Sequence, residues 1–289
     1  MGVASGARTR EIRLDVVNSP VLPDPVALAA ALTDTRWREV AVVAATGSTN
    51  ADLVARAGEG DAAVDGAVLI AGEQTAGRGR YARVWQTPPG QLAVSAALRV
   101  EAEQTPAVGW LSLLTGLAVR EAVVEVTGVA VDLKWPNDVL VPADGRKLSG
   151  ILCEFVPSPS GGGVAVIGTG LNLDLTQAQP RLETAACLRE LTGGAVDPTA
   201  LAAAYLRALS GLLDRWPAEL PALAERYRRA SATLGKRVRL ILPGDTEVIG
   251  TAVDVDDEGR IVVDGVDGEK GENGRVAASA GDVTHLRLT

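Results

Sequence analysis

Residues 130 to 173 constrain the fold most, because they hold strand-like segments separated only by short turns. The segments VAVDLKW, DVLV, KLSGILCEFV and VAVIGTGLNL follow one another with no helical periodicity between them. This pattern predicts a meander of strands and not alternating βαβ units. Because helical patterns lie before and after it, the sequence predicts an α+β class with a mixed or antiparallel sheet flanked by helices.

Further elements are predicted on either side of this meander. Strands are expected over 39–45, 66–74 and 91–100, and helices over 24–37, after Ser48, over 106–128, over 182–191, from Asp197 onward and over 218–232. Gly128 is the expected C-cap of the helix over 106–128. Cys187 falls within the predicted helix over 182–191.

The pattern changes from Gly235 onward. Four short alternating segments, KRVRLIL, TEVIGTAVDVD, GRIVVDG and DVTHLRLT, lie between Gly and Asp turns. They predict a small all-β module, with a barrel as one arrangement. The 289 residues therefore divide into an expected large domain over 1–233 and a small one over 234–289.

Charge and composition exclude several classes of protein. The formal net charge of −8 argues against a general nucleic-acid binder. We find no apolar run long enough to cross a bilayer and no signal-peptide pattern, so we expect a soluble, cytoplasmic protein without a membrane partner. The two cysteines, Cys153 and Cys187, do not suggest a disulfide framework and are expected in the core.

The segment GEQTAGRGRYARVWQTPPG concentrates positive charge in a chain whose net charge is negative. No acid occurs from Gln74 to Val100, whereas four arginines do. Glycines let the backbone approach a ligand closely, and guanidinium groups fit carboxylates and phosphates. The loop therefore predicts a site for a polyphosphate or an activated acyl phosphate. The alternative is a solvated loop whose arginines pair with nearby acids.

A second cluster lies in KWPNDVLV and GRKLSGILCE. Asn137 and Asp138 suit Mg²⁺ beside a phosphate, or they form an Asx turn. Lys147 is a candidate catalytic cation, or a charge that protects a strand edge from pairing. In GTGLNL, Gly168 and Gly170 permit close backbone approach, but the motif is not the dinucleotide fingerprint, because no third glycine follows.

Taken in order, STN, EQTAGRGRYARVW, KWPNDVLV, GRKLSGILCE and GTGLNL closely resemble the biotin protein ligase family. The motifs cover roughly residues 40 to 175, and the layout of the small C-terminal module extends the resemblance. It implies a catalytic domain like those of class II aminoacyl-tRNA synthetases, followed by an SH3-like β-barrel. It also implies a reaction in which biotin and ATP give biotinyl-5′-AMP, whose biotinyl group passes to a lysine of a carrier protein.

The resemblance assigns roles residue by residue. The implied catalytic residues are Lys147, Arg80 and Asp138, with Asp138 also serving Mg²⁺. The implied biotin contacts are Ser48, Thr49, Asn50, Gln74, Gly77, Arg78, Arg80, Lys147, Gly150, Ile151 and Leu152. The implied nucleotide contacts are Arg83, Trp85, Lys134, Asn137, Asn172 and Arg287. ATP and Mg²⁺ are expected as substrate and its metal, with no tightly bound cofactor, and the partner is a biotin carboxyl carrier domain.

The chain departs from the family pattern at several points. Tyr81 stands where a second basic residue often occurs, and Ala82 where glycine is common. No winged helix-turn-helix pattern precedes the STN motif, and from Gly235 onward seven Lys and Arg face eleven Asp and Glu. We therefore expect a monofunctional ligase that binds no nucleic acid, as a monomer or a dimer. The competing hypotheses are a lipoate or octanoate ligase on the same fold, and a non-enzymatic adaptor whose loop binds an acidic partner.

Overall fold

The computed structural model describes residues 22–176, 178, 183–242, 246–265, 274–279 and 281–286. Within these ranges the chain forms one sheet of seven strands and one of five. The strands are β1 Glu39–Thr46, β2 Ala67–Gln74, β3 Gln91–Val100, β4 Asp132–Lys134, β5 Asp138–Leu140, β6 Lys147–Pro157, β7 Gly163–Asn172, β8 Arg237–Leu242, β9 Thr246–Val255, β10 Ile261–Asp264, β11 Arg275–Ala278 and β12 Asp282–His285. The α-helices are α1 Pro25–Ala31, α2 Thr49–Gly58, α3 Trp110–Thr127, α4 Leu188–Thr192, α5 Pro198–Arg215 and α6 Leu220–Ala230.

The large sheet has the order β1-β2-β3-β7-β6-β5-β4. Strands β1 and β2 pair in parallel, and the remaining neighbours of this sheet pair antiparallel. The four strands β4 to β7 lie side by side in chain order, so the predicted meander is confirmed. With helices packed on this mixed sheet, the predicted α+β class is confirmed as well.

Helices cover the two faces of the large sheet differently. Along β7, Thr169 Oγ1 lies 2.8 Å from the hydroxyl of Tyr205 in α5, whereas the neighbouring Gly168 faces Asn50 in α2. Successive strand residues point to opposite faces, so α5 and α2 lie on opposite sides. The α5 side also holds α3, whose leucines Leu114 and Leu117 are buried. Burial of each such side chain stabilises the fold by roughly 1.5–3 kcal/mol.

Capping signals mark three helix ends, but α1 ends at Ala31, so the predicted helix over 24–37 is wrong beyond that residue. Asp24 caps α1, and its side chain accepts hydrogen bonds from the first-turn amides. Ser48 caps α2 by accepting from the amide of Ala51. Helix α3 ends at Gly128 with φ 71°, the left-handed conformation that glycine adopts without strain, so the predicted C-cap is confirmed.

The predicted helix over 182–191 is wrong at its described start. Residues 183–187 are not helical, and α4 begins only at Leu188, with Cys187 in an extended conformation before it. The cause is a tertiary contact, since the amide of Lys147 donates to the carbonyl of Thr184 and the amide of Ala186 donates to the carbonyl of Lys147, both at 2.9 Å. A backbone pairing with β6 thus replaces the helical hydrogen bonds.

The small sheet has the order β11-β10-β9-β8-β12 and is antiparallel throughout. Sequence patterning missed β11, which is only four residues long. Two indoles of the large domain donate to its carbonyl groups, Trp110 Nε1 to Asp256 and Trp135 Nε1 to Gly259, each at 3.0 Å. The predicted division after residue 233 remains a prediction. Among the described residues, no helix is long and apolar enough to span a bilayer.

Candidate active site

A cavity of about 190 Å³ lies on the α2 side of the large sheet, above the central strands β3, β7 and β6. The floor of the cavity is formed by small residues of β3 and β7. Ser95 lies opposite Gly168, and Ala93 lies opposite Gly170. A Cβ added at Gly168 would lie 2.2 Å from Asn50 Oδ1, and one at Gly170 would lie 2.5 Å from the Trp85 ring. Glycine is therefore required here for space.

One end of the cavity is a cluster of buried polar side chains at the start of α2. The amide of Thr49 donates to Gln74 Oε1 at 2.9 Å. Ser95 Oγ lies 2.7 Å from Thr49 Oγ1 and 2.6 Å from Asn50 Oδ1. Asn50 Nδ2 donates to the carbonyl of Leu152 at 3.0 Å. Such a cluster presents donors and acceptors in fixed positions to a polar ligand.

One ammonium group, that of Lys147, lies in the lining of the cavity. Lys147 Nζ lies 2.5 Å from Asp138 Oδ1 and 5.2 Å from the centroid of the Trp85 ring. β6 pairs with β5 at Lys147, and Ala185 forms a bridge with Lys147. Lys147 therefore does not protect an exposed strand edge, which was the alternative drawn from the sequence. Its side chain instead lines the cavity, where it pairs with Asp138.

The arginine loop closes over the same cavity as a tight hairpin. The amide of Trp85 donates to the carbonyl of Gly77 at 3.0 Å, and the amide of Gly79 donates to the carbonyl of Arg83 at 2.8 Å. A Cβ at Gly77 would lie 2.4 Å from the Trp85 carbonyl oxygen, so a side chain does not fit there. The loop thus depends on its glycines for its shape.

Each arginine of the loop contacts a different part of the molecule. Arg78 pairs with Glu154 of β6 at 3.6 Å. Arg80 donates to Asn137 Oδ1 at 3.5 Å and to the carbonyl of Gly281 at 3.2 Å. Arg83 pairs with Asp282 of β12. Two arginines therefore do pair with acids, but these acids come from distant segments and not from the loop itself.

Most of the predicted site residues come together at this cavity. The predicted residues that line it are Ser48, Thr49, Asn50, Gln74, Arg78, Arg80, Arg83, Trp85, Asn137, Asp138, Lys147, Gly150, Ile151 and Leu152. Asn137 Nδ2 donates to the carbonyl of Ile151 at 2.9 Å, which ties KWPND to β6 and not to an Asx turn.

Three predicted residues that the structure describes do not line the cavity. Gly77 lies at the base of the loop. Lys134 is the backbone register partner of Asp138 where β4 pairs with β5. Asn172 is buried, and its Nδ2 donates to the carbonyl of Lys147 at 3.2 Å and to that of Ala186 at 2.9 Å. Arg287 lies outside the described residues. Their predicted contacts with ligands remain predictions.

Sequence reasoning missed four residues of this region. Ser95 is the one hydroxyl in the apolar strand QLAVSAALRV, and that interruption was the available signal. Glu154 closes the quoted GRKLSGILCE motif and also accepts from Asn50 Nδ2 at 2.8 Å. Gln91 lies two residues before Ala93, on the same face of β3. Asp282 gave no signal, because it lies 199 residues from Arg83 in the chain.

The pKa shift of Cys153 argues against thiol chemistry at this residue. Burial raises the pKa of Cys153 to about 12, so its thiolate is scarce near neutral pH. Burial, with Lys134 and Lys236 nearby, lowers the pKa of His285. The described residues contain no group of three or more His, Cys, Asp or Glu placed to hold a metal ion.

Comparison with known proteins agrees with this geometry. The profile of the biotin/lipoate A/B protein ligase family matches residues 54–172, and that of the biotin protein ligase C-terminal domain matches residues 233–286. The biotin–[acetyl-CoA-carboxylase] ligase of Mycobacterium tuberculosis is 47% identical over 87% of this chain and 90% of its own length. The bifunctional ligase/repressor BirA of Escherichia coli is 31% identical over 84% of this chain and 75% of its own length.

A solved structure of the biotin protein ligase from Aquifex aeolicus, in complex with biotin and ATP, has a TM-score of 0.71 and 26% identity, covering 87% of this chain and 100% of that one. Fold and cavity together define a ligase of the biotin/lipoate class. Within that class, the chain belongs to the biotin protein ligase family of enzymes.

Proposed function

We propose that the protein activates biotin with ATP to biotinyl-5′-AMP and then transfers the biotinyl group to one lysine of a biotin carboxyl carrier domain. A carboxylate is a poor electrophile toward an amine, so it must first become a mixed anhydride. The observation that carries the proposal is Lys147, which pairs with Asp138 and lines the same cavity as a buried polar cluster and an arginine-bearing loop.

The buried polar cluster suits the ureido end of biotin. A ureido group offers one carbonyl acceptor and two N–H donors, and Ser48, Thr49, Asn50 and Gln74 supply matching groups along one wall. The cavity lined by this cluster and by Trp85 would take the flat bicyclic ring system of biotin. Biotin would then extend its valeryl chain past Gly150, Ile151 and Leu152 toward Lys147.

In the first step, a carboxylate oxygen of biotin attacks the α-phosphorus of ATP and pyrophosphate leaves. The two anions repel, so fixed cations must offset the charge that develops between them. Lys147 would bridge the carboxylate and the α-phosphate, while Arg80 and Arg83 would stabilise the phosphate charge. The loop would also keep water from the mixed anhydride.

The nucleotide base would bind near Gln91 and Asn172, the pair of facing residues two positions from Ala93 and Gly170 on β3 and β7. Gln91 and Asn172 are register partners there, and both side chains are buried, at 4% and 2% exposure. Their amide oxygens accept no hydrogen bond from the described residues. Buried polar atoms are normally paired, and an exocyclic amino group of the base would pair these acceptors once the base displaces the atoms that now cover them. Trp85, Lys134, Asn137 and Arg287 complete the proposed nucleotide contacts.

Mg²⁺ would arrive with ATP. It usually binds through one or two carboxylates together with substrate phosphates, and Asp138 with its neighbour Asn137 fits that donor set. In the second step the neutral amine of the carrier lysine attacks the acyl carbon and AMP leaves. Asp138, the carboxylate beside Lys147, would accept the proton that the amine loses.

We further propose that the protein is a ligase without repressor activity. The net charge of −8 and the excess of acids after Gly235 oppose binding to a phosphate backbone. A mobility-shift assay at physiological salt is expected to show no complex with the promoter DNA of biotin synthesis genes, with or without biotin and ATP. A retarded complex would contradict this part of the proposal. The cytoplasmic location and the oligomeric state remain predictions.

The first experiment is pyrophosphate–ATP exchange with Mg²⁺, run with biotin, with lipoate and with neither acid. We expect exchange that requires biotin, followed by transfer to a purified carrier domain. Exchange only with lipoate would keep the chemistry and change the substrate. No exchange with either acid from folded protein would overturn the ligase proposal in favour of the non-enzymatic alternative.

A further inference from the structure

Tyr81, at the tip of the arginine loop, has an unusual backbone conformation. It is the only non-glycine residue with positive φ among the described residues, at φ 55° and ψ 42°. A bulky side chain is strained in this left-handed region, and such strain persists only where other interactions hold it in place. Burial of the side chain does not hold Tyr81 in this conformation, because the residue is 48% exposed.

The strained conformation brings Tyr81 against its neighbour Arg80 in two ways. The guanidinium carbon of Arg80 lies 5.0 Å from the centroid of the Tyr81 ring, a cation–π distance. Arg80 Nη2 also donates to the Tyr81 hydroxyl at 3.2 Å. With the bonds to Asn137 and to the Gly281 carbonyl, the guanidinium is fixed by three separate segments.

Arg80 stands in a wall between two cavities. It lines the active-site cavity and also a second cavity of about 380 Å³, which lies between the start of α3, β6 and the C-terminal domain. Tyr81 lines the second cavity but not the first. The ring therefore stands behind the guanidinium, on the side away from the reacting groups. Without the ring, Arg80 has space to turn into the second cavity.

We propose that Tyr81 is a positioning residue that holds the Arg80 guanidinium in the active-site cavity. The inference rests on the proposed adenylation, in which Arg80 stabilises phosphate charge. A cation stabilises the negative charge of the transition state most when it is fixed before that charge develops. No reorganisation is then needed during the reaction. Tyr81 thus fixes the Arg80 guanidinium before the ligand binds, so that ligand binding does not have to order it.

Three substitutions separate the ring, the hydroxyl and the backbone strain. Tyr81→Phe keeps the ring and loses the hydrogen bond, so the rate of adenylate formation should fall no more than about threefold. Tyr81→Leu keeps the left-handed strain without the ring, and the rate should fall about tenfold. Tyr81→Gly removes both strain and ring. It should be as slow as Tyr81→Leu although it folds with less strain.

A double-mutant cycle with Arg80→Ala tests whether Tyr81 acts through Arg80. In the Arg80→Ala background, Tyr81→Leu should have less than about a twofold further effect, because the group that it positions is gone. A merely structural role would instead give the same tenfold loss in both backgrounds. That additivity, or a Tyr81→Gly rate equal to wild type, would overturn the proposal.

A measurement without any substrate keeps this inference separate from the proposed function. Trypsin cleaves after arginine only where the side chain and backbone can enter the protease. Cleavage after Arg80, followed by mass spectrometry, should be several-fold faster in Tyr81→Leu than in wild type and little changed in Tyr81→Phe. Equal cleavage in all three proteins would contradict the positioning role. Absence of biotin-dependent exchange in wild type would contradict only the function.

Discussion

The two ends of the active-site cavity are held in opposite ways. At the α2 end, Ser48, Thr49, Asn50 and Ser95 are each at most 4% exposed. Short hydrogen bonds join Thr49, Asn50 and Ser95 to one another and to neighbouring strands, and Ser48 caps α2. At the loop end, the side chains of Arg78 and Arg83 are 53% and 68% exposed.

The two ends suit two different tasks of the proposed reaction, recognition of the biotin ring and binding and release of anionic groups. A buried network tolerates no unpaired group, so it fixes one shape and one pattern of donors, which suits recognition of an uncharged ring. Exposed ion pairs contribute little and are screened by salt, so they can exchange partners as anionic ligands enter and leave. Substitutions at each end should therefore differ in size and in kind.

The largest effect is expected between the two ends, at Lys147. Lys147→Ala removes the only lysine that lines the described cavity, and the rate of adenylate formation should fall about 100- to 1,000-fold. Single-turnover measurement of biotinyl-5′-AMP checks this. Lys236→Ala, which removes an exposed lysine of the C-terminal domain, is the control and should leave the rate unchanged. A loss below about tenfold at Lys147 would place the reaction centre elsewhere.

At the buried end, Gly168→Ala should be the most damaging small change. The new methyl group would lie 2.2 Å from Asn50 Oδ1, and Asn50 is held by Leu152 and Glu154 and cannot withdraw. We expect about 1–3 kcal/mol less stability, and biotin affinity at least tenfold weaker. Denaturant unfolding and isothermal titration check these two effects.

Gly211→Ala is the matched control for Gly168→Ala. Gly211 lies on an exposed position of α5, and an added Cβ there meets no atom within 4 Å. Alanine is the better helix former by about 1 kcal/mol, so this variant should be slightly more stable and should bind biotin normally. Normal biotin binding by Gly168→Ala would mean that the floor of the cavity adapts, and the buried end would then not be rigid.

The buried end could be predicted from the sequence and the supports of the loop could not. Ser48 caps α2, and Thr49 and Asn50 are its first two residues, so local spacing alone marks them as polar groups at the start of a helix. The meander of β4 to β7 was also visible, because alternation and short turns are local signals. Lys147 was found through the motif that surrounds it.

The contacts that hold the loop join segments remote from each other in the chain. Nothing in the spacing of the arginines indicates that Arg83 pairs with Asp282, or that residues 183–187 pair with β6 instead of forming a helix. The left-handed conformation of Tyr81 was likewise hidden, because propensity disfavours it and only the surrounding contacts impose it. Tertiary contacts override local preference at these points.

At the loop end, Glu154→Gln should have a moderate effect. Glutamine retains an acceptor for Asn50 Nδ2 but removes the charge that pairs with Arg78, so it loosens the loop without breaking the cluster. We expect release of biotinyl-5′-AMP into solution to rise about three- to tenfold, with biotin affinity within twofold. Glu125→Gln, in an exposed pair with Arg207, is the control. Weaker biotin binding without added release would assign Glu154 to the buried end.

The smallest effect is expected for Asp282→Asn, which weakens the pair with Arg83. An exposed pair contributes less than about 1 kcal/mol, so stability should hardly change. Because Asp282 and the phosphates of ATP would compete for Arg83, the KM for ATP should fall up to about threefold at low salt, and the difference should vanish near 0.5 M salt. Asp264→Asn, which breaks an exposed pair with Arg275 in the same small sheet, should leave the KM unchanged. A rise in the KM would mean instead that Asp282 holds Arg83 in place for the nucleotide, and both ends of the cavity would then be preorganised.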